Sequence, residues 1–463
     1  MKSRNLLFFL ATVSFIYFFS IIASSCAQIG MPIGGPRDSI PPVLIASNPP
    51  NQSLHFKGKI ITLTFNEYVE LKNLQENLIV SPTPIINPVI NSKLRQVKII
   101  LRDTLQPNTT YNIQLGNSIQ DINENNPYRD FNYVFSTGDY IDSMKFTGNV
   151  RLAETGKTDS TLIALLYNDL SDSAVYKKKP KYISRLDSSG NFSFRNLASG
   201  SYHLFAIKDQ SGQRMYNDPT QLFAFSDSVV IINNETKQRK LFAYQQDQEA
   251  VKSTSGIKAD KKIPVKFTTS LDNNFQDLLT GLTINFNKTL HSFDSSKLKL
   301  TDTLYNALPF KIAFIDTLQS KIRIQSQWKE DFSYKLIIDS NFVTDTSGIS
   351  LSKNDTLSFK TRKETDYGSI KLNFKNLDQF QHPVLQFVVN NVVISSYPLS
   401  SSTFQLKLIA PGEYVLRMLE DTNQNGKWDT GNYQNRKQPE IVRAIEKKIN
   451  IRANWDNETD IEL

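Results

Sequence analysis

Cysteine is nearly absent: the chain has one, Cys26. A lone thiol leaves no intramolecular disulfide and no thiolate zinc cluster. Histidine is almost as scarce. His55, His203, His291 and His382 are far apart in the chain, and none stands in His-x-x-x-His spacing or near a Gly-x-Ser-x-Gly turn. The three tryptophans, Trp328, Trp428 and Trp455, form no cluster. Convergent acid–base groups are therefore missing, and the chain reads as no enzyme. Neither charge sign dominates, with 53 Lys and Arg against 45 Asp and Glu. The one dense basic run, Lys177-Lys178-Lys179 with Lys181, is broken by Pro180 and reads as a solvated loop. Without a basic stripe over a face, nucleic acid is excluded as a partner. Beyond Cys26 no segment sustains an apolar period of 3.6, so little helix is expected.

What the chain does have begins at its start. Lys2 and Arg4 precede an apolar run from Leu6 to Ile22, which leads into Ala23-Ser24-Ser25-Cys26. This is the layout of a secretory signal peptide. A transmembrane anchor or a plainly cleaved signal leaves the position of the only cysteine unexplained. The small-small-Cys ending resembles the lipobox of bacterial lipoproteins. That resemblance implies cleavage before Cys26, acylation of its thiol and new amino group, and a membrane partner held through the lipid anchor. Residues 26–40, with Gly30, Pro32, Gly34, Gly35 and Pro36, read as a tether. No acidic residue follows the cysteine at Ala27, which favours the outer membrane, periplasmic face.

From Pro41 onward the period is two. Ile61, Leu63 and Phe65 alternate with Thr62 and Thr64; Tyr111, Ile113 and Leu115 alternate with Asn112 and Gln114. Short alternating runs bounded by Pro, Asn and Gly are half-buried strands of β-sandwiches. The pattern then recurs. Leu282, Ile284, Phe286 and Asn287 answer Ile61, Leu63, Phe65 and Asn66, and Asp345 answers Asp121. Phe404, Gly412, Tyr414, Leu416 and Asp421 answer Phe192, Gly200, Tyr202, Leu204 and Asp209, all at a shift of 212 (421 − 209). The order is a duplicated two-domain unit.

Each half carries its own resemblance. Pro41-Pro42, the strand ending Phe65-Asn66-Glu67, the Leu105-to-Tyr111 turn and Phe135-Ser136-Thr137-Gly138 are similar to bacterial Ig-like domains of cell-surface proteins. The second copy departs from this, with Lys288 in place of the acidic Glu67. Gly190 to Asp209 resembles carboxypeptidase-regulatory-like (transthyretin-like) domains, with two strands joined by a tight Leu197-Ala198-Ser199-Gly200 turn and His203 pointing to solvent. The expected chain is all-β, with Ig-like and transthyretin-like sandwiches alternating. Its parts are signal 1–25, tether 26–40, sandwiches 41–139 and 140–247, linker 248–262, and sandwiches 263–363 and 364–463.

The best candidate for chemistry is Asp421 to Asp429. Oxygen side chains at Asp421, Asn423, Asn425 and Asp429, with Gly426 at the sixth position, match the first part of an EF-hand-type calcium loop, and the Lys427 carbonyl would be a further ligand. Position 12 is Asn432 where a glutamate belongs, and the equivalent loop at Asp209 lacks the set. The alternative is a metal-free turn closed by Asn and Asp side chains on backbone amides, with no cofactor. Two functions stay open on the sequence. One is a structural or protein-interaction scaffold in the cell envelope, with an envelope protein as partner. The other is glycan binding or processing at the surface, for which Trp428 is the candidate platform.

Overall fold

The computed structural model describes residues 12–14, 38–246 and 264–463. Cys26, most of the signal segment and the 248–262 linker lie outside the described residues. Regular structure is almost entirely strand. The helices Leu74–Asn77 and Ala174–Lys177 are single turns. No helix among the described residues is long and apolar enough to cross a membrane. The chain forms two compact units. One holds the described residues up to 78 with 85–107 and 113–137; the other holds 79–84, 108–112 and the rest from 138.

In the first unit an antiparallel sheet runs in the order Leu44–Asn48, Ile60–Phe65, Gln96–Ile100, Val89–Lys93. Ile61, Leu63, Phe65, Val97 and Ile99 are fully buried from its inner face, as the alternation requires. Asn66 closes the strand end: its N–H donates to the Val43 carbonyl at 3.0 Å and its Oδ1 accepts the Val43 N–H at 2.6 Å.

The second unit repeats this design. Phe267–Thr269, Leu282–Phe286, Lys321–Gln325 and Lys311–Phe314 follow the same order. Asn287 makes the same pair of bonds to Lys266, at 3.0 and 2.8 Å. The other repeat matches as closely. Met144–Leu152 lies between Asn191–Leu197 (antiparallel) and Arg239–Ala243 (parallel). Gly368–Lys375 lies between Thr403–Ile409 (antiparallel) and Asp456–Glu462 (parallel). The facing sheets run Tyr182–Arg185, Ile163–Tyr167, Gly200–Ile207 and Val392–Pro398, Pro383–Val389, Gly412–Glu420. Beyond Gly200–Ile207 stand two short strands, Phe223–Phe225 and Val230–Ile232; beyond Gly412–Glu420 one long strand, Ile441–Ile451, does both jobs. The Tyr202 hydroxyl donates to the Ala198 carbonyl at 3.0 Å, and the Tyr414 hydroxyl to Ala410 at 2.6 Å. Each ring folds back over a glycine, Gly200 (φ 150°) or Gly412 (φ 153°), in backbone that side chains disfavour.

One expectation is refined and one corrected. The tight Leu197-to-Gly200 turn does join two strands, but not neighbours in one sheet. Asn191–Leu197 belongs to one sheet and Gly200–Ile207 to the opposite one, so the turn arches across the sandwich. Phe192, Phe194, Tyr202 and Leu204 then meet in one core, an outcome alternation alone does not distinguish from pairing side by side. His203 does not point to solvent. It is buried, and its Nε2 lies 3.0 Å from the Leu170 carbonyl.

The reason is that this sheet buries both faces. Ala164, Leu166, Leu204, Ala206 and Ala224 face the sandwich core. Leu165, Tyr167, Phe205, Ile207, Phe223 and Phe225 face outward, into a second apolar cluster. A sheet covered on one side shows polar alternation; one covered on both does not.

Candidate functional site: a loop docked on the repeated sandwich

What covers that outer face comes from the other repeat. The connection from Gly412–Glu420 to Ile441–Ile451 contains the candidate calcium loop. Asp421 is buried at its start. Its Oδ1 accepts the Asn425 N–H at 3.2 Å and its Oδ2 the Gly426 N–H at 2.7 Å. Asp209 accepts the Arg214 N–H at 3.1 Å, the same bond 212 residues earlier. Gly426 (φ 76°) and Arg214 (φ 59°) share the left-handed backbone that this turn needs. The Asn423 and Asn425 side-chain amides both donate to Asp429 Oδ2, Asn425 at 2.9 Å. The Lys427 N–H donates to Asn425 Oδ1 at 2.7 Å. So the structure gathers Asn423, Asn425 and Asp429 and turns Asp421 onto backbone amides. Among the described residues no group of three or more His, Cys, Asp or Glu is placed to hold a metal ion.

Glu440 is the residue that sequence reasoning missed. It is buried, and its Oε1 accepts the Thr422 N–H at 2.8 Å and the Thr422 hydroxyl at 2.9 Å, while Oε2 accepts the Asp429 N–H at 3.1 Å. One carboxylate thus clamps both ends of the turn, and charge-assisted bonds of this kind are the strong ones. The available signal was Pro439-Glu440, a rigid residue and a charge placed just before the last long strand. Trp428 is not an exposed platform: its Nε1 donates to the Glu440 carbonyl at 2.7 Å, and its ring packs against Val384, Leu419 and Val442 as well as the aromatic cluster below.

Beyond the turn, Tyr433 enters the outer face of the preceding repeat. It is 2% exposed. Its ring stands 5.0 Å from Phe225, 5.3 Å from Phe223 and 5.6 Å from Phe205, centroid to centroid, at edge-on angles. Burial pushes its phenol up to about 12. Gly431 makes this approach feasible, since a Cβ there would lie 2.7 Å from the Tyr244 ring. Polar contacts frame the plug. The Val442 N–H donates to the Ala153 carbonyl at 2.8 Å, and Gln438 Nε2 to the Phe225 carbonyl at 3.1 Å. Thr430 donates to the Gln245 carbonyl, and Arg436 pairs with Asp172 while lying over the Tyr433 ring at 4.8 Å. Burying a side chain of this size contributes about 2–3 kcal/mol, and each well-placed ring pair about 1 kcal/mol more.

A cavity of about 270 Å³ lies beside the Asp209 loop, lined by Lys208, Gln213, Met215, Asn217, Gln221 and Gln245 among others, with no aromatic ring. Its amides serve their own loop: Gln221 Nε2 donates to the Lys208 carbonyl at 2.8 Å, and Gln245 Nε2 to Thr220 at 2.7 Å.

Among solved structures, the major pilin subunit of Bacillus cereus is similar at 11% identity and a TM-score of 0.18, over 69% of this chain and 99% of that one. The full-length major pilin SpaD of Corynebacterium diphtheriae is similar at 9% and 0.16, over 69% and 96%. A biofilm-associated protein domain is similar at 11% and 0.15, over 92% and 99%. Likenesses this weak carry no argument about function. No curated protein matches the chain. The family model of the bacterial Ig-like domain matches residues 38–137, the first sandwich of the described chain.

Proposed function

We propose that this protein is a non-catalytic envelope lipoprotein, anchored through acyl chains on Cys26, that works as a multi-domain structural or protein-interaction scaffold on the periplasmic face of the outer membrane. The observation that carries the reading is the docked 421–440 loop. Its buried carboxylates, Asp421 and Glu440, accept backbone N–H groups, and its aromatic residues seal one sandwich onto another. The groups that a sequence reader would assign to chemistry hold the assembly together. The Ig-like match at 38–137 supports the same class. The glycan reading needs an exposed ring, and Trp428, its candidate, is engaged by Glu440.

Cys26→Ala tests the anchor. The variant should leave the detergent phase, or stay unprocessed at the precursor mass. A variant that partitions with detergent at the wild-type mature mass would refute lipid anchoring.

We further propose that the Asp421–Asp429 turn closes without metal. The arrangement supports this reading, since both Asp421 oxygens accept backbone amides and the Asn423 and Asn425 side-chain amides both donate to Asp429. The Asp209 turn makes the same closure without the donor set. The melting temperature of the full chain should not change in millimolar calcium. A rise that Asp421→Ala removes would reverse this assignment, since binding to the folded state alone must stabilise it.

A further inference from the structure

At one end of the first unit, the outward positions of the sheet break the polar pattern. Val89 lies opposite Ile100, and Ile100 opposite Ile60, so the three form a row across neighbouring strands. Their chain neighbours Ile90, Ile99 and Ile61 are buried, which puts this row on the outer face. Ile60 is 52% exposed and Val89 37%. The next row outward is polar, Asn91, Lys98 and Thr62. The loop entering Val89 adds two more isoleucines, Ile85 and Ile86, 85% and 57% exposed. Asp103, three residues past Ile100, holds both backbones: Oδ2 accepts the Ile85 N–H and Oδ1 the Ile86 N–H at 3.0 Å. Pro84 and Pro88 fix the backbone on either side. Two large aliphatic side chains are thus displayed on a stiffened loop. Lys59, Lys98 and Arg102 are exposed around the patch, and the Lys59 carbonyl accepts the Leu101 N–H at 2.8 Å.

We infer that this end of the first sandwich rests on an anionic lipid surface. Aliphatic side chains entering the acyl boundary, with Lys and Arg at headgroup level, are the chemistry of an interfacial contact. An apolar patch rimmed by cations fits phosphate-bearing lipid better than a flat polar protein surface. The inference rests on the lipid-anchor reading for its geometry. Ile40 is 14 residues beyond Cys26 (40 − 26), and so many residues reach at most about 50 Å when fully extended. The patch orients a sandwich that the acyl chains already hold near the bilayer.

The test uses acylated full-length protein in vesicles of phosphatidylethanolamine and phosphatidylglycerol. With Cys26 acylated, Ile85→Cys supplies the one free thiol for an environment-sensitive dye. The expected result is a blue shift of the dye in vesicles, quenched by bromine placed high on the acyl chain. A dye at Lys407→Cys should show neither, and adding Ile60→Asp with Ile86→Asp should abolish the shift at 85. Emission at 85 that stays water-like, while mass spectrometry confirms acylated Cys26, overturns the proposal and leaves the anchor standing. A dye shielded in native envelopes but not by lipid vesicles assigns the patch to a protein and also overturns it. If the mature protein carries no acyl chain, the anchor reading fails by itself. Unacylated protein with added vesicles then decides the patch, a shift at 85 supporting it and its lack overturning it.

Discussion

Tyr433→Ala will destabilise the second unit by about 3–5 kcal/mol, the range for emptying a large aromatic site that cannot collapse. The ring is enclosed by Phe205, Phe223 and Phe225, residues of a sheet whose other face is already packed. Trp428, the loop's other large ring, is held by its Nε1 bond to the Glu440 carbonyl and is not free to refill the space. Urea denaturation of the full chain measures the loss. Hydrogen exchange locates it: amides of 421–440 and of Phe223–Phe225 should lose protection together. Tyr433→Phe keeps the ring and removes only the contact of the phenol with the Asp172 carbonyl, 3.3 Å away, so it should cost no more than about 1 kcal/mol. If Tyr433→Ala shifts the transition by less than about 0.5 kcal/mol, the level of an ordinary surface change, the loop does not hold the repeats.

Lys288→Glu will destabilise the same unit at neutral pH by about 2–3 kcal/mol, short of the full value for a deeply buried pair because Lys288 is partly exposed. Asp345, 4% exposed, accepts the Lys288 ammonium at 2.8 Å and the N–H groups of Ser347 and Ile349 at 2.8 Å each. Burial pulls its pKa upward, but Lys288 and the two amides prevail and hold it below its ordinary 3.8. A carboxyl held low in the fold contributes stability above its unfolded value and loses it as pH falls through 3.8 and below. The first unit has the opposite arrangement. Glu67 stands where Lys288 stands, and burial, then Asp121, Asp38 and Glu124, raise its pKa above 4.5. A raised carboxyl favours the fold when protonated, and its penalty appears as pH rises from 4.5 upward. Glu67→Lys should therefore stabilise the first unit at pH 7, with the gain fading in acid as Asp121 and its neighbours take protons. The deficit of Lys288→Glu should shrink over the same range. Stability against pH for both variants checks this; a Lys288→Glu deficit unchanged from pH 7 to pH 3 would show that lost packing, not charge, is responsible.

The all-β class and the duplication were legible because period-2 alternation is a local consequence of strand geometry. Ile61, Leu63 and Phe65 could be placed in a core from their spacing. The constant shift from Tyr202 to Tyr414 survived because both tyrosines tie the same arch, to Ala198 and Ala410. The first half of the candidate loop was legible too, since Asp421 must find a donor nearby and Gly426 supplies the backbone. What was missed lies across sequence distance. Glu440 clamps Thr422 from 18 residues away, and His203 is buried on a face that looked free. A clue was present in Ile163–Tyr167 and Phe223–Phe225, strands too apolar for a sheet with one wet side. Local pattern says that such a face is covered without saying by what.

By itself, then, the sequence determined the strands, their inner faces, the repeat and the turn at Asp421, because each depends on backbone period and on bonds between residues a few positions apart. Only the tertiary structure decided that Asn191–Leu197 and Gly200–Ile207 join opposite sheets, that Glu440 completes the loop, and that Tyr433 fills the face of another sandwich. Those outcomes depend on which surfaces meet, and burial of apolar area rewards any partner of the right shape. The choice of Tyr433 and its loop rests on steric detail, such as the space left where Gly431 passes Tyr244, that no periodicity encodes.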